Sequence, residues 1–221
     1  MNRWTCVLGL LAVFAFACQA PADSISLDTS FFGTTPTSPA PWGVGSFSNS
    51  GSGVVLTLTP SLSASADKYA YISQWDFNLN PALNPALLSF SLIGSSGSFT
   101  APTVSLGTNA FLADTTGGHY DIKFAFSFFS RFGNGDSATY DITYQGRTLT
   151  AGDFDYATTD GGQYYSAAYL LGLNYGCSCD WVASNGAGSD VSAVPEPTLA
   201  ASLIGLAGMG LLYSCRRPKR A

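Results

Sequence analysis

Glutamate is nearly missing from this 221-residue chain, which has only Glu196, and histidine is as scarce, with His119 alone. Carboxylate chemistry is therefore left to aspartate, and any Ser-His-Asp triad would have to use His119. No Gly-x-Ser-x-Gly elbow accompanies it, and no set of residues is assigned to catalysis. Cations are few as well: Arg3, Arg216, Arg217, Lys219 and Arg220 lie near the ends, leaving Lys68, Lys123, Arg131 and Arg147 against thirteen aspartates between residues 23 and 194, a net charge of −9. Such a surface repels phosphate backbones, which excludes nucleic acid as a partner. With 10% charged residues the chain is also a poor candidate for a helical bundle or coiled coil. Of the five cysteines only Cys177 and Cys179 fall in this middle stretch. Two thiols without a nearby histidine make an incomplete zinc site, so no metal is assigned. If exported to an oxidising compartment, they are expected to form a local disulfide whose small ring adds little loop entropy, with free or cross-linked thiols as the alternative.

Charge-free apolar runs are confined to the two ends. Residues 1–22 pass from Arg3 through an apolar stretch to the small residues Ala20 and Ala22, the order of a secretory signal peptide cut after Ala22. Residues 198–215 hold no charge, and as a helix they would extend roughly 27 Å, close to the hydrocarbon thickness of a bilayer. Arg216, Arg217, Lys219 and Arg220 follow at once, an excess of cations that marks the cytoplasmic side and turns the middle of the chain outward. The span is either a transient or a permanent membrane anchor, and just before it stands Val194-Pro195-Glu196-Pro197, where two prolines hold the backbone extended and accessible, as a processing enzyme requires.

A Pro-Glu-Pro triplet, an apolar glycine-rich span and an Arg-rich terminus, paired with a signal peptide, resemble the PEP-CTERM sorting signal, which is recognised by the membrane enzyme exosortase. The resemblance covers residues 195–221. It implies export, anchoring in the inner membrane during sorting, cleavage near Pro195, Glu196 and Pro197, and delivery to the cell surface or extracellular matrix, often in organisms that make exopolysaccharide. Signal peptidase and exosortase are then the expected processing partners. The middle is also similar, at Ser73-Gln74-Trp75-Asp76-Phe77 and Thr139-Tyr140-Asp141-Ile142, to ectodomains that precede this signal.

Within residues 23–183 apolar side chains recur at every second position, which predicts strands. Tyr120, Ile122, Phe124, Phe126 and Phe128 fall on one face, and Tyr140, Ile142 and Tyr144 repeat the pattern. With Gly133-Asn134-Gly135-Asp136 between them, the two runs read as an antiparallel hairpin. Further strands are expected at 25–32, 54–58, 68–77, 88–92, 104–106, 164–173 and 181–183. Eight to ten short strands in this length predict an all-β fold, a single antiparallel β-sandwich or jelly roll, followed by a Ser, Asn, Gly and Ala-rich flexible linker over 184–194.

Side-chain chemistry in the middle is sparse. Asp136, Asp153, Asp155 and Asp160 sit in glycine-rich stretches and read as solvated turns, with calcium as the alternative. Trp42, Trp75, Trp181, Tyr164 and Tyr165 are either core or a sugar-binding surface. The leading expectation is a non-enzymatic surface or matrix protein with a structural role in envelope or biofilm. It needs no cofactor. A carbohydrate-binding module or adhesin for exopolysaccharide comes second, and a secreted hydrolase using His119 or an aspartate pair third.

Overall fold

A computed structural model describes residues 23–185 apart from Ser52, Ala64 and Cys177. The described residues are β-rich, with antiparallel strands in two sheets and few, short helices. One sheet contains β1 (Asp23–Leu27), β3 (Gly43–Ser50), β4 (Gly53–Pro60), β10 (Ser137–Tyr144) and β6 (Leu88–Ser96), in the order β1-β3-β4-β10-β6. The other contains β2 (Thr29–Gly33), β12 (Ser178–Ala183), β11 (Ser166–Gly172), β5 (Tyr71–Phe77), β8 (His119–Ala125) and β7 (Thr103–Leu112), in the order β2-β12-β11-β5-β8-β7, with the short β9 (Phe132–Gly133) also on β5. No helix among the described residues is long and apolar enough to cross a membrane.

Alternation buries one face of each sheet, and the two buried faces share one core. Phe47 from β3 meets Phe77 from β5 edge-on at 5.5 Å, and Phe90 from β6 meets Phe124 from β8 in the same way at 5.6 Å. Each such ring buries enough surface for roughly 1.5–3 kcal/mol. In β5, Ile72 and Trp75 both face this core although they are three residues apart, an odd spacing that alternation alone forbids. The register shift opposite Tyr169 and Leu170 absorbs it, leaving Ser73 as the extra residue. Trp75 is completely buried, and its indole N–H donates to Ser166 Oγ at 2.9 Å.

The strand β3 has little β propensity and is missing from the sequence-based expectation. Its glycines explain why it is there. A Cβ on Gly43 would come within 3.0 Å of the Trp75 ring, and one on Gly45 within 3.1 Å of the Phe77 ring. Aromatic rings of the facing sheet occupy the volume that side chains of β3 would need, so glycine is required where a pattern reader looks for valine.

Three further expectations are corrected. The expected hairpin between the runs at 120–128 and 139–145 does not form, because β8 and β10 lie in opposite sheets. The Gly-Asn-Gly-Asp turn is real: Gly133 N–H donates to the Asp136 carboxylate at 2.8 Å, and Gly135 has φ +88°. It links β9 to β10 and carries the chain from one sheet to the other, anchored by the stack of Phe126 on Phe132 at 4.3 Å. Phe128, placed inward by the alternation, is 60% exposed because the strand ends at Ala125. The single strand expected over 25–32 is two, β1 and β2, which change sheet at Asp28, whose N–H donates to the Ala183 carbonyl. Past β12, Ser184 is still buried and donates its N–H to Ser166; the remainder of the expected linker, from residue 186, lies outside the described residues.

Candidate binding face

The outer face of the larger sheet is aromatic. Pairing aligns Phe32 of β2, Trp181 of β12, Tyr169 of β11 and Gln74 of β5 in one row. Tyr169 and Trp181 stack at 5.0 Å, Phe31 lies 6.3 Å from Trp181, and Tyr164 stacks on Phe31 at 5.2 Å. Alongside runs a row of small residues, Ala183 and Ala167, that ends in Asp76 and Lys123. Asp76 is fully buried, and that burial pushes its carboxyl up to about 8, against the opposing pull of the Gln74 hydrogen bond and the Lys123 charge. Burial therefore favours its protonated form. Asp180 is also buried, and burial raises its carboxyl.

At one end of this face, three loops are tied together by Asp67. Its carboxylate accepts from Thr37 Oγ1 at 2.8 Å, from Ser38 N–H at 2.7 Å and from Asn174 N–H at 3.4 Å. Burial works against ionisation there, but these hydrogen bonds outweigh it and hold the carboxyl below its ordinary range. Asn174 and Tyr175 both adopt left-handed backbone, φ 51° and 64°, in a segment that is not a regular helix. Residues other than glycine keep such conformations only where their surroundings impose them. Tyr69, Phe128, Phe129 and Tyr175 are all exposed, Phe129 by 95%.

Beside these loops lies an open groove of about 580 Å³ lined by Tyr71, Phe128, Arg131, Leu171 and Cys179 among others. The Arg131 guanidinium lies 5.0 Å from the centre of the Tyr71 ring and 5.9 Å from that of Phe128. The Tyr71 hydroxyl is buried without a hydrogen-bond partner, and burial raises its pKa against the opposing influence of Arg131. Next to it, a hydrogen bond with Cys179 together with burial pushes the Tyr169 hydroxyl up to about 12. A second groove of about 360 Å³ also touches Arg131 and is lined by Lys68, Tyr69 and Asp136.

No protein-family model, curated protein or solved structure matches this chain.

The aromatics singled out in the sequence separate into two groups. Trp42 and Trp75 are buried in the core, so they are removed from any sugar-binding surface, and Tyr165 packs against the same core. Trp181 and Tyr164 are brought together on the outer face, joined by Phe31 and Tyr169, which alternation alone did not single out. The turn aspartates are used by the chain itself. Asp153 accepts from Thr150, Asn80 and Arg147, and Asp136 holds Gly133 and Ser98. Asp155 is pushed up by burial and by Asp23. Among the described residues no three potential metal ligands converge. His119 does meet an aspartate, with Nδ1 2.6 Å from Asp160 Oδ2, and that contact lowers the Asp160 pKa. The pair is about half exposed at a strand end, and no Ser or Cys side chain among the described residues is hydrogen-bonded to the imidazole. Cys179 carries a free thiol; Cys177, and with it the expected pairing, lies outside the described residues. So do Ala20 and Ala22, Val194, Pro195, Glu196 and Pro197, the span 198–215, and Arg216, Arg217, Lys219 and Arg220.

Proposed function

We propose that this chain is a non-enzymatic, exported surface or matrix protein, a β-sandwich sorted through a PEP-CTERM signal. The reading rests on one observation in the sequence: Val194-Pro195-Glu196-Pro197 stands directly before a charge-free stretch, which Arg216, Arg217, Lys219 and Arg220 close. Signal peptidase cuts after Ala22. The 198–215 helix halts in the inner membrane with its basic tail in the cytoplasm, and exosortase then acts at the extended Pro-Glu-Pro segment. Two antiparallel sheets around one aromatic core form a stable ectodomain suited to a structural role in envelope or biofilm. Intact-mass spectrometry of the protein recovered from the cell surface tests this: a mature chain beginning at Asp23 and ending near Pro195 to Pro197 is expected, and one intact through Ala221 refutes it.

The aromatic row of Phe32, Trp181 and Tyr169 favours a second reading, binding of neutral sugar rings such as those of exopolysaccharide, because rings of this kind cover the apolar faces of sugars. Loss of glycan-array binding in Trp181→Ala, with the fold retained, supports it, and unchanged binding removes it.

A further inference from the structure

We infer that the groove around Arg131 and Tyr71 binds a carboxylate carried on a six-membered ring. Arg131 is one of four cations in a segment rich in aspartate, and it is exposed above a tyrosine whose hydroxyl has no partner. A guanidinium offers two parallel donors that match a carboxylate in a planar, bidentate way. The Arg131 side chain forms no ion pair among the described residues, so its donors are available. Tyr71 is 2% exposed. Its hydroxyl has no accessible surface, so a ligand in the groove that Tyr71 lines meets the residue at its ring. Beside both polar groups, Phe128 offers an apolar ring that is 60% exposed and edge-on to Tyr71 at 6.2 Å. Two exposed groups describe the ligand: an anionic head for Arg131 and a ring face for Phe128.

Charges nearby are compatible with an anion. Asp136 lines the adjoining groove, but its carboxylate is occupied by the N–H groups of Gly133 and Ser98. Lys68 lines that same groove, 4.6 Å from the Tyr69 ring, so a ligand with a second carboxylate finds a second cation on the other side of Arg131. The Asp67 carboxylate stands behind the loops and is taken up by Thr37, Ser38 and Asn174. The proposal uses no residue of 194–221, so it stands or falls independently of the sorting reading.

Ring carboxylates come from two sources, the uronic acid units of an acidic polysaccharide and free aromatic acids. Titration calorimetry on the full-length chain in mild detergent separates them with three probes: tri-galacturonate, benzoate and a neutral maltotriose. Binding of either acid, at least about tenfold tighter than maltotriose and weakened at least about tenfold by Arg131→Gln, is expected. Binding of tri-galacturonate alone assigns the polysaccharide source, and of benzoate alone the free acid. Tyr71→Phe keeps the ring under Arg131 and removes an orphaned hydroxyl, so binding is expected to change less than about threefold with the melting temperature unchanged or raised. Failure of both acids to bind overturns the inference. So does acid binding that Arg131→Gln leaves intact, or maltotriose binding of equal strength. Because Arg131 is exposed, its variant is checked for an unchanged melting curve before titration.

Discussion

The outer faces of the two sheets are built from the same alternation and have opposite surfaces. On the smaller sheet, pairing aligns Ser46, Thr57, Thr139 and Gly94 across four strands, and the hydroxyls of Thr57 and Thr139 lie 3.2 Å apart. That is a solvated β surface with short polar side chains. On the larger sheet the corresponding row is Phe32, Trp181, Tyr169 and Gln74, bordered by the buried Asp76 and a groove holding Arg131. A structural ectodomain needs only the first kind of surface. The second carries large rings: Phe32 is exposed, while Phe31, Tyr164 and Trp181 pack half-buried against a second cluster of Ala113, Tyr120, Ala167 and Ala183.

The comparison is tested most strongly at Asp67. Replacing it with alanine orphans donors of Thr37 and Ser38, so a loss of about 2–3 kcal/mol in urea unfolding is expected, whereas Asp141→Ala on the smaller sheet should stay within about 0.5 kcal/mol. Equal effects would mean that the loops on the aromatic side are no more constrained than an ordinary β surface. Because the folded state lowers the Asp67 pKa, its contribution is present above the ordinary value of 3.8 and disappears as pH falls through the lower folded value. The wild type therefore loses more stability on acidification than Asp67→Ala.

Overpacking the interior comes next. Gly45→Val drives methyl groups into the Phe77 ring and should cost about 1–3 kcal/mol, while Ser46→Val, one residue on and facing outward, should change the melting temperature little. A neutral Gly45→Val would show that the facing sheets can separate more easily than the ring contacts imply.

Asp76 should have the opposite pH slope to Asp67. Its folded pKa, about 8, lies above the ordinary 3.8, so the folded state holds its proton more tightly and stability falls as pH rises between those values. Asp76→Asn should flatten this fall, which linkage puts at about 1.4 kcal/mol per pH unit inside that range. Melts at pH 5, 7 and 9 give the slope directly, and a wild type whose stability is flat across them would show Asp76 to be solvated. The smallest effect is expected for the outer rings themselves: Trp181→Ala should cost about 1 kcal/mol for its stacking on Tyr169 and Phe31, against a few tenths for Thr57→Ala. A loss no larger than that of Thr57→Ala would show that the Trp181 ring adds no packing over the cluster of Ala113, Tyr120, Ala167 and Ala183.

Much of the fold can be read directly from the sequence, since period-two runs such as Tyr120, Ile122 and Phe124 bury one face in either sheet. What alternation leaves open is partnership. The turn at Gly133 to Asp136 is plain in the sequence, yet whether it folds β8 back on itself or passes the chain to the facing sheet depends on Phe126, Phe132 and Phe99 packing together from distant positions. β3 is hidden for a related reason, because its glycines fit rings of a strand some thirty residues away. The binding face is less legible still. Trp181 and Tyr164 attract notice as aromatics, but Trp75 attracts as much and is buried. Tyr71 and Arg131 become a site only when β5 and the loop after β8 place them against each other.

The sequence by itself determined the all-β class, the concentration of acid in the middle of the chain, and the placing of apolar runs at the ends, because composition and periodicity are local properties. Only the tertiary structure decided which aromatics face water, which strands pair, and that one of four cations stands over an unpartnered tyrosine, because those facts depend on contacts between residues far apart in the chain. The scarcity of cations takes on a meaning there that composition could not supply: in so acidic a domain, two of the four, Lys68 and Arg131, gather at adjoining grooves.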